Sequence, residues 1–577
     1  MQRWRARDGV RMGWGVFLAC WALAAIAALT LGRDANWDLR NYHYYNAYAL
    51  LQGRWDVDLA PAGGHSFLHP GLDLPFYLLT QSSLNHWPRL ISVLQAGYLG
   101  LLAFLVLAIT NLVCHGAPGR LSGCSMLVAA FGLSGAATLP EAGTTFNDIQ
   151  VGCLVVGALL ALLLAPRAED RGHPRRATVL GLLAGTLAGA AVGLKLTAVI
   201  FPPALALAAL FAGPPGAVQW LRRLALLAAG GIAGFAAVYG PWAWFLFERF
   251  GNPFGPFLNE VFHSPWFLPE TLRDTRFLPA DLWQALIYPL LWARYSVGRV
   301  TEWPVADPRF AVGLLATVIV VGADVWRRLM RPHNTLQNRV DQEEISSERA
   351  AARRAAWAVM AFVLVGYALW LITFSILRYA GPLEVLLGVP IWAVARELST
   401  ATPLLVRRAS CSKMGAGAVR RTRIVPTAYV AVALGACSLG TRYPEWDRQP
   451  FDWAGDPRGT MAVAVAPVTL PQGSLVAMVG PTVSFTAPFL SGPGIRFIGA
   501  PHPGGAGPAA FRTAMADAVR EAARQHRGFA FAVVEDPDDY DREVAQAYGI
   551  SLDLASCADL PNNLTTLIRL CRWRNAE

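Results

Sequence analysis

Residues 31–88 read LGRDANWDLRNYHYYNAYALLQGRWDVDLAPAGGHSFLHPGLDLPFYLLTQSSLNHWP, and the fold turns on how that stretch is read. It lies between one hydrophobic run at 13–31 and another at 89–113. It is too polar to cross a bilayer and too aromatic for an idle connection. Asp34, Asp38, Asp56, Asp58 and Asp73 stand among Trp37, Tyr42, Tyr44, Tyr45, Tyr48, Trp55 and Trp87. Tyr and Trp have apolar rings with polar tips, so they collect at membrane–water boundaries. A helix over 36–53 with Asn36 as its N-cap would put Asp38 in the first turn, where the helix dipole favours a carboxylate. An acidic, aromatic shelf at a membrane surface suits polar chemistry on a lipid-linked substrate. A surface-anchoring helix with merely solvated acids is the alternative reading.

The totals support a membrane setting. The chain has 577 residues, of which 54% are hydrophobic and only 15% charged, with a mean hydropathy of +0.37. Soluble domains carry about 25% charged residues, so a soluble enzyme is excluded in favour of a polytopic membrane protein. The net charge of +10 is dispersed between hydrophobic runs. That pattern is a topology signal and not a nucleic-acid footprint, and no nucleic-acid partner is expected. The basic start MQRWRARDGVRMGW before an apolar run reads as a retained signal-anchor.

Hydrophobic segments fall near 13–31, 89–113, 122–139, 149–165, 177–194, 198–213, 223–241, 310–326, 356–376, 381–396 and 424–440, about eleven spans. The pair 177–213 is split only by GLKLT, so two short helices around a re-entrant turn are an alternative there. Basic residues precede span one, follow span four, precede span seven, and fill the loops 327–355 and 397–423. With alternating spans all of these share one face, the cytoplasmic one. The loops 32–88 and 242–309, the short loop 140–148, the GLKLT and LRYAGP turns and the tail from 441 then share the outer face. The expected location is a bacterial inner membrane, N-terminus cytoplasmic and C-terminal domain periplasmic.

After Thr441 the pattern changes. SLVAMVG (474–480), IRFIGA (495–500) and FAFAVVE (529–535) read as buried strands, and 509–526 and 539–549 as helices. Residues 1–440 are therefore expected to form the transmembrane domain and 441–577 a small extracytoplasmic α/β domain. PGGAG at 503–507 reads as loop punctuation. None of the eight cysteines forms a CxxC pair; Cys557 and Cys571 pair plausibly if the tail is extracytoplasmic, with two free thiols as the alternative.

Charges at membrane depth are functional candidates by default. Asp38, Asp148 (in TTFNDIQVG), Lys195 (in AVGLKLTAV) and Arg378 (in FSILRYAGP) all fall on the outer face. A carboxylate can take a proton from an acceptor hydroxyl. Lysine and arginine can hold a phosphate leaving group. Plainer readings stand beside these: Lys195 and Arg378 snorkel to the interface, and Asp148 caps its helix. Glu141 and Glu384 read as solvated or capping acids. His65 and His69, four apart and near Asp73, are an unfavoured metal site because Pro61, Gly63, Gly64 and Pro70 break any helix there. His43 reads as a polar wall residue, and nothing places His263 or Arg294.

This pattern resembles the GT-C membrane glycosyltransferases, which use polyprenyl-phosphate-linked sugars and include protein O-mannosyltransferases and lipid A aminoarabinose transferases. The shared residues are an acid after span one in NWDLRNYHYYNAYALLQGRW, a second opening span four in NDIQVGCLVV, the GLKLTAV turn and LRYAGP. The resemblance covers roughly 10–440; an adjacent pair of acids in the first loop is missing, and the resemblance does not extend to 441–577. It implies Asp38 as catalytic base or acceptor-orienting carboxylate, with Asp148 in support. It implies Lys195 and Arg378 on the donor phosphate, with Tyr379, Tyr42 and His43 completing the substrate site. A divalent cation, magnesium or manganese, is the one cofactor left open; no metal ligand is assigned. The implied reaction moves a sugar from the polyprenyl-phosphate donor to a lipid, polysaccharide or protein acceptor, with inversion. Two other classes compete: a transporter or flippase of a lipid-linked saccharide, which would show inverted repeats and mid-membrane charges, and a non-catalytic envelope-assembly protein, which would show no substrate-sized cavity beneath loop 32–88.

Overall fold

The computed structural model describes residues 12–118, 121–270, 273–329, 347–409, 417–451, 460–500, 508–525, 530–535 and 539–575. The PGGAG turn and parts of the basic loops 327–355 and 397–423 lie outside the described residues.

Helices dominate to Gly440, and strands take over after it. Among the described residues seven helices are long and apolar enough to cross a bilayer: Trp14–Leu31, Pro88–His115, Asp148–Asp170, Pro174–Leu194, Ala217–Phe250, Arg309–Arg327 and Glu348–Thr373. The pair Leu377–Glu384 and Gly388–Leu398, bent by 41°, makes an eighth. The expected count of eleven is not met by length. The segments expected at 122–139, 198–213 and 424–440 form the shorter apolar helices Gly123–Leu133, Leu196–Ala212 and Pro426–Gly440. Their ends nonetheless lie at opposite ends of the bundle. Ser122 meets His115 at one end and Ser134 meets Tyr443 at the other. Likewise Lys195 joins Asp148, whereas Ala209 meets Arg223.

Close helix approach is written in small residues. Gly181, Gly185, Gly189 and Gly193 recur every fourth residue along Pro174–Leu194 and face Leu226, Gly230, Gly231, Phe235 and Val238 of Ala217–Phe250. A Cβ at Gly193 would already stand 3.2 Å from the Val238 side chain. At the end bearing the basic loops, arginines pair with acids across helices: Arg222 with Glu169 at 2.5 Å, Arg353 with Asp324 at 2.8 Å and Arg354 with Asp170 at 3.2 Å.

The C-terminal region holds a five-stranded sheet in the order β4-β2-β5-β7-β6. Here β2 is Leu475–Val479, β4 Arg496–Ala500, β5 Ala530–Val534, β6 Ile550–Asp559 and β7 Arg569–Asn575, while the short β1 (Val468–Thr469) and β3 (Leu490–Ser491) pair apart. β4, β2 and β5 run parallel and β7 and β6 antiparallel, with a disulfide joining Cys557 of β6 to Cys571 of β7. Helices Ala509–Gln525 and Asp539–Ala547 match the expected ones.

This sheet sits on the loop between the first two long helices, 32–87. Leu59 joins the free edge of β4 as a single parallel bridge, donating to the Phe497 carbonyl at 2.9 Å and accepting from Gly499 at 2.9 Å. Arg40 pairs with Glu535 at 3.1 Å and Asp447 at 3.0 Å. The aromatic helix is therefore no open interfacial shelf: Tyr44 and Tyr45 are buried, in one apolar cluster with Val476, Phe485 and Phe497.

Candidate active site

The first outer loop enters with Asn36, whose Oδ1 accepts from the Leu39 amide at 2.8 Å and caps the helix as expected. The chain then makes a π-helical turn, Leu39–His43, before continuing as Tyr44–Gln52. The wider i→i+5 turn swings His43 towards the side that carries Asp38; His43 Nε2 lies 3.9 Å from Asp38 Oδ2.

Asp34 ties this loop to the one before Asp148. Its Oδ2 accepts from both the amide and the hydroxyl of Thr145 at 2.8 Å, and its Oδ1 from the Asn36 side chain at 2.8 Å. Asn147 takes a left-handed conformation, φ +68°, and Asp148 opens the helix Asp148–Asp170. Asp148 is the first helical residue and forms no side-chain cap. Pro174–Leu194 ends at Lys195, and the turn Leu377–Ala380 presents Arg378.

These four segments meet. Arg378 Nη1 donates to Asp38 at 2.9 Å and to Asp148 at 3.2 Å. Lys195 Nζ donates to Asp148 at 2.6 Å and to the Phe146 carbonyl at 3.1 Å. Two acids and two cations thus alternate in one chain of contacts. Neither cation snorkels: their side chains are 15% and 16% exposed, too enclosed for that role. Aromatic faces line the rest, with the Arg378 guanidinium 4.1 Å from the Phe146 ring centre and 5.6 Å from that of Trp446, and Lys195 5.1 Å from Tyr379. Burial pushes the Asp38 carboxyl up, but Arg378, with His43 and Lys195, outweighs it and holds Asp38 below the usual carboxylate range.

The other expected residues divide. His43 and Tyr42 lie at the site, with Tyr42 stacked on His65 at 5.1 Å. His65, His69 and Asp73 do not converge: His69 accepts from the Gly71 amide, whereas Asp73 turns to His43 at 2.6 Å. Glu141 and Glu384 are buried, not solvated. Glu384 accepts from the Ala137 amide at 3.0 Å, while neither oxygen of Glu141 has a hydrogen-bond partner. His263 and Arg294 are exposed and join no ion pair of the site among the described residues. Asp73, Asn147, Phe146 and Trp446 belong to the site without having been singled out for it.

No three of His, Cys, Asp and Glu gather as metal ligands among the described residues. Asp38 and Asp148 are instead neutralised by Arg378 and Lys195, whose charges repel a divalent ion. The donor set does not fit magnesium or manganese.

No family model matches the chain, and no curated protein matches it. Among solved structures it is similar to ArnT from Cupriavidus metallidurans bound to undecaprenyl phosphate, at 14% identity over 97% of this chain and 98% of that one, with a TM-score of 0.47. It is also similar to the Archaeoglobus fulgidus oligosaccharyltransferase in the apo form, at 14% identity over 90% of this chain and 69% of that one, TM-score 0.40. A third likeness is to AglB from Archaeoglobus fulgidus in complex with an inhibitory peptide and a dolichol-phosphate, at 15% identity over 90% and 69%, TM-score 0.35. Likenesses this distant add no weight to any assignment of activity.

Proposed function

We propose that this chain is an integral-membrane glycosyltransferase that moves a sugar from a polyprenyl-phosphate donor to a lipid, polysaccharide or protein acceptor. One observation carries the reading: Asp38, Asp148, Lys195 and Arg378, from four segments up to 340 residues apart, join in a single buried network at one end of the helical bundle. Burying charges is costly unless each is paired and fully hydrogen-bonded, and charges at membrane depth mark substrate sites. Both carboxylate contacts of Arg378 run through Nη1, so the remaining guanidinium edge is left for a phosphate oxygen. Lys195, with three donors and two protein acceptors, also has one to spare. In this reading Lys195 and Arg378 hold the donor phosphate, Asp148 fixes both cations, and Asp38 meets the acceptor. Tyr42 and Tyr379 supply aromatic faces for the sugar. The arginine-rich end of the bundle faces the cytoplasm by the positive-inside rule, which puts the site and the C-terminal sheet on the periplasmic side.

The test is release of labelled sugar from a panel of polyprenyl-phosphate sugars in proteoliposomes, comparing wild type with Asp38→Asn. Turnover by wild type, lost in a folded mutant, is the expected result; no turnover with any donor sinks the reading. The bent pair Leu377–Glu384 and Gly388–Leu398 favours one second reading, a transporter built on a broken helix. Flipping of a labelled lipid-linked saccharide without sugar release would establish it.

A further inference from the structure

Asp73 lies in a turn after a Pro- and Gly-rich stretch, far in sequence from the four charges of the site, yet it reaches His43. His43 Nδ1 lies 2.6 Å from Asp73 Oδ1. That oxygen also accepts from the Asn147 amide at 2.7 Å, and Asn147 Oδ1 in turn accepts from Gln150 at 3.3 Å. The Asn147 amide also lies 3.4 Å from Nδ1, but the Asp73 oxygen is far nearer, and an ionised carboxylate only accepts hydrogen bonds, so the proton sits on Nδ1. In a neutral ring Nε2 then carries the lone pair. Nε2 is buried and has no hydrogen-bond partner among the described residues, and it faces Asp38 Oδ2 across 3.9 Å. Two acceptors facing each other at that distance form no bond with each other. A single hydroxyl seated at the edge of this gap reaches both at about 2.8 Å. The protein has fixed two acceptors around a missing donor.

We infer that His43 is the proton acceptor for the incoming hydroxyl, held in its working tautomer by Asp73, with Asp38 orienting that hydroxyl; the inference rests on the transferase reading above. The acceptor oxygen forms a bond to the anomeric carbon. The bond from that carbon to the phosphate oxygen breaks, and its electron pair leaves with the polyprenyl phosphate. The hydroxyl proton passes to Nε2, and the imidazolium formed lies between Asp38 and Asp73. Asp38 alone is the weaker base, because Arg378 donates to the same Oδ2 that faces His43. Its carboxyl is held low for that reason. His43 is thus a catalytic residue and Asp73 a positioning residue.

Two measurements on the full-length protein in lipid nanodiscs test this. The first is ¹⁵N NMR of labelled histidine, with the His43 signals identified by their loss in His43→Gln. In wild type the neutral ring is expected to carry its proton on Nδ1, and in Asp73→Asn a mixture of tautomers. A proton on Nε2 in neutral wild type overturns the inference whatever the protein does. The second is sugar release by wild type, His43→Gln and Asp73→Asn, with binding of polyprenyl phosphate and size-exclusion profile as checks on folding. General-base loss is worth about 10²–10⁴-fold. His43→Gln is expected to lose at least about 100-fold in kcat with donor affinity unchanged, and Asp73→Asn to lose less, also in kcat and not KM. An active wild type whose folded His43→Gln keeps its rate within about twofold overturns the inference and leaves the transferase reading standing. A wild type that releases sugar from no donor overturns both.

Discussion

Two buried charge clusters lie near the same end of the bundle, and they are built differently. In one, Arg309 and Asp307 are both 0% exposed and pair at 3.0 Å. Arg309 spends every nitrogen there: Nε on the Phe131 carbonyl at 2.8 Å, Nη1 also on Thr441 at 2.6 Å, and Nη2 on Ser134 and Ser438. Asp307 also accepts from the Ala136 amide at 2.8 Å. In the other cluster, Arg378 uses Nη1 alone for its two carboxylates and is otherwise ringed by aromatic faces. A closed network fixes a fold, since each polar atom has its partner. An open one keeps donors in reserve for a ligand. Burial and charge alone do not separate the two; hydrogen-bond satisfaction does.

The largest expected effect falls on the closed cluster. Arg309→Met removes the cation from the buried Asp307, and breaking such a pair from one side costs about 3–5 kcal/mol. Thermal unfolding in detergent should show a large fall in stability or no folded protein. Arg378→Met at the open cluster should destabilise less, because Asp148 keeps Lys195 and Asp38 keeps His43 beside it, while abolishing polyprenyl-phosphate binding. Equal losses of stability at the two positions would erase the contrast.

Next in size is Arg378→Lys, which keeps the charge but loses the planar fork. Removing one donor aimed at developing charge lowers kcat by about 10²–10³-fold. Sugar release should fall by about 100-fold with the fold intact. A lysine that supports full turnover would mean that the free edge of Arg378 touches nothing in the reaction.

How much of this was legible in the sequence follows the range of each signal. Asp38, Asp148, Lys195 and Arg378 were readable because a charge beside an apolar run is conspicuous, and the order of runs places the charges at one end. The convergence of His43 on Asp38 was not, because the π turn at Leu39–His43 shifts the register and no residue there announces it. Asp73 was hidden by its setting: without helical periodicity, the direction of its side chain is set by tertiary contacts alone. Glu384 looked solvated beside Pro382, yet it is buried against the Ala137 amide. Likewise β6 and β7, for which no element was expected, take their place by pairing with each other and, for β7, with β5. The burial of Tyr44 and Tyr45 depends on a sheet more than 400 residues further along, which local patterning cannot see.

A smaller effect concerns pH. The folded Asp38 carboxyl is held below its unfolded value of about 3.9. An acid depressed in the fold contributes stability above its unfolded pKa and loses it as pH falls through the folded one. Wild type should therefore keep its advantage in thermal stability over Asp38→Asn unchanged from pH 7 to about pH 5, and lose it only below about pH 4. An advantage that fades between pH 7 and pH 5 would show that Arg378 does not hold the carboxylate.

The smallest expected effect is at Glu141, which lies between the two designs. It is buried in a turn whose flanking carbonyls, Pro140 and Ala142, are gripped by Arg448, but its own carboxylate oxygens are unpartnered. Burial first, and then Asp148, push its carboxyl well above the usual range. For an acid raised in the fold the sign reverses: the unfolded chain gives up its proton near pH 4.3 while the folded one keeps it, so stability declines as pH rises above that value. Glu141→Gln removes this penalty with almost no change of shape. The variant should match wild type near pH 4 and exceed it at pH 8 by on the order of 1 kcal/mol, the scale of an unsatisfied buried polar group. Because the gain depends on pH and a packing change does not, the slope of the difference is the informative quantity. A flat difference, or a variant less stable at pH 8, would mean that Glu141 is ionised and paired through a water or ligand, making it a member of the open cluster.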